Sequence, residues 1–152
     1  MQPQYSNFNG SNSSGTVNER SPWYRLESMT RTWAGASMSD TLYVVKGGSI
    51  DKSEHILQYL TDKITTTGEN RIPVPKYFFV ALLSRKGANY KAVGFWMEHL
   101  GSYADKKALS YYARSIDDLE RLTGIDFFCN LPDEIENEVE KGYVASEWGG
   151  LQ

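Results

Sequence analysis

Lys76-Tyr77-Phe78-Phe79-Val80-Ala81-Leu82-Leu83 and Lys91-Ala92-Val93-Gly94-Phe95-Trp96-Met97 stand on either side of Lys86-Gly87-Ala88-Asn89. Two apolar, β-rich runs around a glycine turn predict an antiparallel hairpin with an apolar core face. Pro73 and Pro75 mark the entry to its first strand. Working outward, Asp40 to Lys46 (DTLYVVK) followed by Gly47-Gly48 predicts a buried strand ending in a turn. Glu54 to Ile64 fits helix or strand, and Thr65 to Gly68 reads as a loop.

Helices flank this β-rich centre. Ser21-Pro22 supplies an N-cap and a first-turn proline, and Trp23, Leu26, Thr30, Trp33 and Ala34 follow at helical spacing before Gly35. Ser115-Ile116-Asp117-Asp118 resembles a capping box with Asp in place of Glu, with Ile116, Leu119 and Leu122 as the buried stripe and Gly124 as the stop. Ile125 to Phe128 reads as a short strand. Pro132 opens a last helix through Lys141 that buries Ile135 and Val139. Residues 5–21, rich in Ser, Asn and Gly, read as a long irregular loop. The order of elements predicts an α+β fold, a mostly antiparallel sheet flanked by helices, in a single domain over residues 1–152.

Composition narrows the function. With 40% apolar and 23% charged residues, the 152-residue chain is neither a disordered polar tract nor a membrane protein. A single cysteine, Cys129, excludes an internal disulfide framework and a CxxC zinc site, and is expected as a small buried hydrophobe. Two histidines, His55 and His99, exclude a multi-histidine metal cluster and are expected in structural roles. Lys46-Gly47-Gly48 is not followed by GK[ST], so it is no phosphate loop. Met1 to Gly10 has no signal-peptide pattern. Charge is uneven: the first 114 residues are net +5, and residues 115–152 are net −8. The basic part is compatible with a nucleic-acid partner, and the acidic block reads most simply as solvated helix faces.

The stretch with chemical content is Trp23 to Arg31. With Trp23, Leu26 and Trp33 facing the core, Tyr24, Glu27 and Arg31 share the other face at i, i+3 and i+7. Glu27 and Arg31 could be an ordinary i, i+4 salt bridge, worth about 0.2–0.5 kcal/mol. The same pair suits phosphodiester chemistry: Arg neutralises charge building on a phosphate, and a carboxylate orients metal-bound water.

A resemblance covers nearly the whole chain. Met1-Gln2-Pro3-Gln4-Tyr5-Ser6-Asn7-Phe8-Asn9-Gly10, then Trp23-Tyr24-Arg25-Leu26-Glu27 and Arg31, resemble the DNA/RNA non-specific endonucleases, the ββα-metal nucleases that include endonuclease G. The family pattern is N-M-x-P-Q, F-N-x-G and W-x-x-L-E-x-x-x-R. It continues through Asp40 to Val45, Val74 to Phe79, Ser115 to Glu120, Thr123 to Phe128 and Leu131-Pro132-Asp133. The resemblance implies a Mg²⁺ cofactor held by Asn9, with Glu27 touching the metal's water shell and Arg31 stabilising the transition-state phosphate. It implies DNA and RNA as partners, with Tyr24, Arg25 and Arg20 as the expected contacts to the nucleic acid. A homodimer is compatible with it, and secretion or a periplasmic location is expected from it.

Two departures shape the expectation. Thirteen residues separate Asn9 from Trp23, far more than in the family, so Ser11 to Arg20 reads as an insertion and Asn18 is the alternative metal ligand. The family's general base is the His of D-R-G-H, placed upstream of N-M-x-P-Q; neither His55 nor His99 has that setting. The chain is therefore expected to be the C-terminal part of a nuclease domain, inactive by itself. The alternative is a non-catalytic remnant or a nucleic-acid-binding module with the same fold.

Overall fold

The hairpin read from residues 76–97 is the middle of the molecule. In the computed structural model, which describes residues 3–10, 20–61, 71–102 and 107–151, the elements run α1 (Ser6–Asn9), α2 (Pro22–Trp33), β1 (Thr41–Ser49), β2 (Ile56–Thr61), β3 (Arg71–Pro75), β4 (Tyr77–Lys86), β5 (Asn89–Glu98), β6 (Ala113–Arg114), α3 (Ile116–Thr123) and α4 (Asp133–Glu140). One four-stranded sheet has the order β1-β4-β5-β6, and β2 pairs with β3 in a separate ribbon. Every pairing is antiparallel. The fold is α+β, as expected.

The unbroken apolar run of β4 has a simple cause: both of its faces are covered. Phe78, Val80 and Leu82 face one core with Trp23, Leu26 and Trp33 of α2 and Phe8 of α1. Phe79, Ala81 and Leu83 face a second core with Ile116 and Leu119 of α3 and Val139 of α4. The sheet is thus sandwiched between α1–α2 and α3–α4. Fully burying one such large apolar side chain stabilises the fold by about 1.5–3 kcal/mol. The C-terminal segment returns to the first core, where Trp148 meets Trp33 at 5.2 Å between ring centres and Leu151 is buried.

The capping signals of both helices hold. Ser21 caps α2 by accepting from the Tyr24 amide, and Ser115 caps α3 by accepting from the Asp118 amide. Thr123 rather than Leu122 completes the fully buried stripe of α3, and Ile135 of α4 is half-buried.

Four local expectations differ from the structure. β1 does not stop at Gly47-Gly48 but runs on to Ser49. Gly47 lies across from Phe79, and a Cβ there would sit 2.9 Å from that ring, so the glycine serves close packing rather than a turn. Nor is β1 buried: it is an edge strand with Tyr43, Val44 and Val45 exposed. Ile125 to Phe128 forms no strand. There Phe127 packs on Phe79, its amide donates to Glu120 Oε1, and Phe128 turns the chain at φ 60°. Cys129, just past that turn, is exposed rather than buried, because Phe127 has taken the core position.

Of the stretch 54–64, open in sequence, the described part ends a 3-10 turn (Ser53–His55) and continues as β2, while residues 62–64 lie outside the described residues. The expected loop of residues 5–21 contains α1, while residues 11–19, with Asn18, and the loop 65–68 lie outside the described residues.

Candidate functional site

The site begins with Phe8. Its side chain has no solvent exposure and sits 5.2 Å from the Trp23 ring, 5.0 Å from Phe78 and 4.9 Å from His99, centre to centre. That anchor fixes the single turn of α1, which ends at Gly10 in the left-handed conformation, φ 76°. Glycine is doubly required there, since a Cβ would also lie 2.8 Å from Tyr24 Cβ. Ser21 joins the two helices: its hydroxyl donates to the Phe8 carbonyl and accepts from the Tyr24 amide. Asn9, exposed beside the buried Phe8, is thereby held at a set place relative to α2.

Asn9 and Glu27 open onto one cleft of about 450 Å³, lined also by Gln4, Trp23, Lys46, Gly47 and Phe78. The structure therefore brings together two of the residues singled out in the sequence. It also adds one that sequence reasoning missed. Lys46 Nζ, from β1, donates to Glu27 Oε1 at 2.9 Å and lies 5.9 Å from the centre of the Trp23 ring. The i, i+4 pairing of Glu27 with Arg31 is not among the ion pairs of the described residues; Lys46 holds the carboxylate instead. Arg31 is exposed one turn further along α2, outside the cleft lining. No local signal marks Lys46, whose pairing is made across 19 positions by packing β1 beside α2.

The three residues expected to touch nucleic acid divide. The Arg20 guanidinium stacks over the Tyr24 ring at 4.3 Å from its centre, so these two form one cationic, aromatic surface. Arg25 turns elsewhere, with Nη2 donating to the Lys107 carbonyl at 2.6 Å. Burial lowers the Arg25 pKa from its usual value. That bond ties α2 to the segment before β6.

Both histidines are buried and engaged. His55 Nδ1 lies 2.7 Å from Ser49 Oγ and 3.2 Å from Asp51 Oδ1, and its ring meets the stacked Tyr77 and Trp96 rings edge-on. His99 Nε2 accepts from the Tyr5 amide at 2.7 Å, so Nδ1 carries the hydrogen and donates to the Pro75 carbonyl at 2.9 Å. Neither histidine lines the cleft of Asn9 and Glu27.

His99 gives a pH dependence with a definite sign. Burial lowers its pKa, against the opposing bond to Pro75. The unfolded imidazole takes up its proton near pH 6.5, and the folded one only at lower pH. The stability it contributes is complete above about pH 6.5 and is lost as pH falls from there through the folded value. Between pH 7.5 and 5.5 the wild-type melting temperature should fall more than that of His99→Gln. Parallel falls in the two proteins would contradict this reading.

With the cleft placed, comparison with known proteins gives it a family. The family model for DNA/RNA non-specific endonuclease matches residues 1–134, and the chain belongs to that family. No curated protein matches the chain. Among solved structures it is similar to a chain in the crystal structure of the EndoG/EndoGI complex, described by its mechanism of EndoG inhibition, with a TM-score of 0.53 and 16% identity. That match covers 74% of this chain and 45% of the other, so this chain spans less than half the length of its structural relative. At such identity the likeness is one of fold.

Proposed function

We propose that this chain carries the metal-and-phosphate side of a sequence-indifferent DNA/RNA endonuclease site. The observation that supports it is the convergence of Asn9 and Glu27, from two separate helices, on one cleft. Their donor set fits Mg²⁺: a carboxamide and a carboxylate oxygen are hard ligands, and about 450 Å³ leaves room for the waters this ion keeps. Asn9 would hold the cation directly, and Glu27 through its water shell. When bound, Mg²⁺ supplies Lewis acidity at a phosphate oxygen and acidifies water.

The chain's own residues do the rest. Glu27 orients water by accepting its hydrogens, and Lys46 fixes the carboxylate while adding a positive charge where a phosphate would enter. Arg31, exposed one turn beyond the cleft, would neutralise charge on a phosphate that extends out of it. Tyr24 and Arg20 offer a stacking, cationic surface to the strand. Neither His55 nor His99 supplies the general base, because both are held inside the fold.

The 152-residue polypeptide should therefore leave plasmid DNA and RNA uncut with Mg²⁺, at the level of an EDTA control. The same polypeptide fused behind a D-R-G-H segment should cut both, since positioned proton transfer contributes typically 10²–10⁴-fold. EDTA-sensitive cleavage by the polypeptide alone would overturn the assignment of the base. A fused protein that folds, binds DNA and does not cut would favour the binding-module alternative.

A further inference from the structure

On the opposite side of the sheet from the cleft, α3 and α4 bring three carboxylates together. One oxygen from each of Asp117, Glu120 and Glu140 lies within 4.8 Å of one from each of the others. Glu140 is the informative member. It is only 8% exposed, and its Oε1 is buried with no hydrogen-bond partner among the described residues. An ionised oxygen in that position is expensive unless a positive charge stands beside it. The one basic residue of α3, Arg121, is exposed and paired with Asp118 instead. Glu120 is held in place by the Phe127 amide, which donates to its Oε1 at 2.7 Å.

We propose that Asp117, Glu120 and Glu140 bind a hard divalent cation, Ca²⁺ in preference to Mg²⁺, which clasps α3 to α4. The number of carboxylates selects the ion. Ca²⁺ takes about six to eight oxygen ligands in flexible geometry, whereas Mg²⁺ keeps several waters and uses one or two carboxylates. Three carboxylates with oxygens within 4.8 Å of one another therefore suit Ca²⁺ better. The site is structural: it lies behind the second core, where Ile116, Leu119 and Val139 already press both helices onto the sheet. The −8 charge of residues 115–152 gains a use, since Asp126 and Glu136 add to the negative field around Glu140. A proton is the competing occupant. Burial first, then the carboxylates of Glu120, Glu136, Asp117 and Asp126, push the Glu140 carboxyl up to about 7.

The test is thermal melting of EDTA-stripped protein at pH 8, where the proton is a poor competitor, with CaCl₂ or MgCl₂ as the probe. Ca²⁺ at a hundredfold excess over its dissociation constant should raise the melting temperature by roughly 5 °C or more, and Mg²⁺ by less. Glu140→Gln should melt at or above the wild type in EDTA and lose the Ca²⁺ shift; Asp117→Asn should weaken it. Asn9→Ala should keep the full shift, which separates this site from the cleft. No shift in the wild type, an equal shift in Glu140→Gln, or a shift lost in Asn9→Ala would each overturn the proposal.

Discussion

Phe8→Ala is expected to lower stability by about 3–5 kcal/mol, the cost of emptying a fully buried aromatic site. The side chain has no exposed surface, and its neighbours Trp23, Phe78 and His99 belong to three different elements or their ends, so the void cannot collapse by one local shift. The consequence for function is larger than the number. Phe8 is what holds α1, and therefore Asn9, against α2. In Phe8→Ala the amides of Asn9 and Gly10 should lose protection from hydrogen exchange while those of β4 and β5 exchange only as the global stability dictates. Chemical denaturation and exchange on the same protein check both parts. A loss under about 1 kcal/mol with α1 still protected would mean that the anchor lies elsewhere.

The second large effect is at the metal. In the nuclease completed by a D-R-G-H segment, Asn9→Ala should lower cleavage by at least about a hundredfold, roughly 2.7 kcal/mol of transition-state stabilisation. Asn18→Ala should stay within a few-fold of wild type. The position of Asn9 favours it as the ligand, since it lines the same cleft as Glu27. Initial rates across a Mg²⁺ titration separate a lost ligand from a lost fold, because a weakened ligand shows as a raised metal requirement. Equal losses at the two positions, or a greater loss at Asn18, would move the ligand into the insertion.

How much of this could be read from the residues depends on how local each cause is. α2 was legible because its cap, its first-turn proline and its apolar stripe all lie within thirteen consecutive residues, Ser21 to Trp33. The β4–β5 hairpin was legible for the same reason, its turn and both runs being contiguous. β1 runs past its expected end because Gly47 answers to the Phe79 ring on the neighbouring strand, and a glycine pair read alone signals a turn. Ile125 to Phe128 has strand-like residues, yet the Glu120 carboxylate takes the Phe127 amide and no ladder forms. In the site, Asn9 and Glu27 were found through family motifs, whereas Lys46 and the cluster at Glu140 exist only once distant elements pack. The Glu27–Arg31 bridge, one of the two readings of that spacing, is displaced for the same reason. Helical spacing permits the pair, but a lysine from the sheet edge reaches the carboxylate first.

That competition defines the central question, whether Glu27 and Arg31 belong to a site or to a solvated surface. As a surface feature, the pair of Glu27 with Lys46, with side chains 31% and 54% exposed, is worth at most about 1 kcal/mol. The deciding measurement is cleavage rate and melting temperature on Glu27→Ala and Arg31→Ala in the completed nuclease. Both variants should lose about tenfold to a hundredfold or more in turnover while their melting temperatures barely move, since the core stripe of α2 is Trp23, Leu26 and Trp33. Unchanged rates with lowered melting temperatures would contradict the account and return both residues to the helix surface.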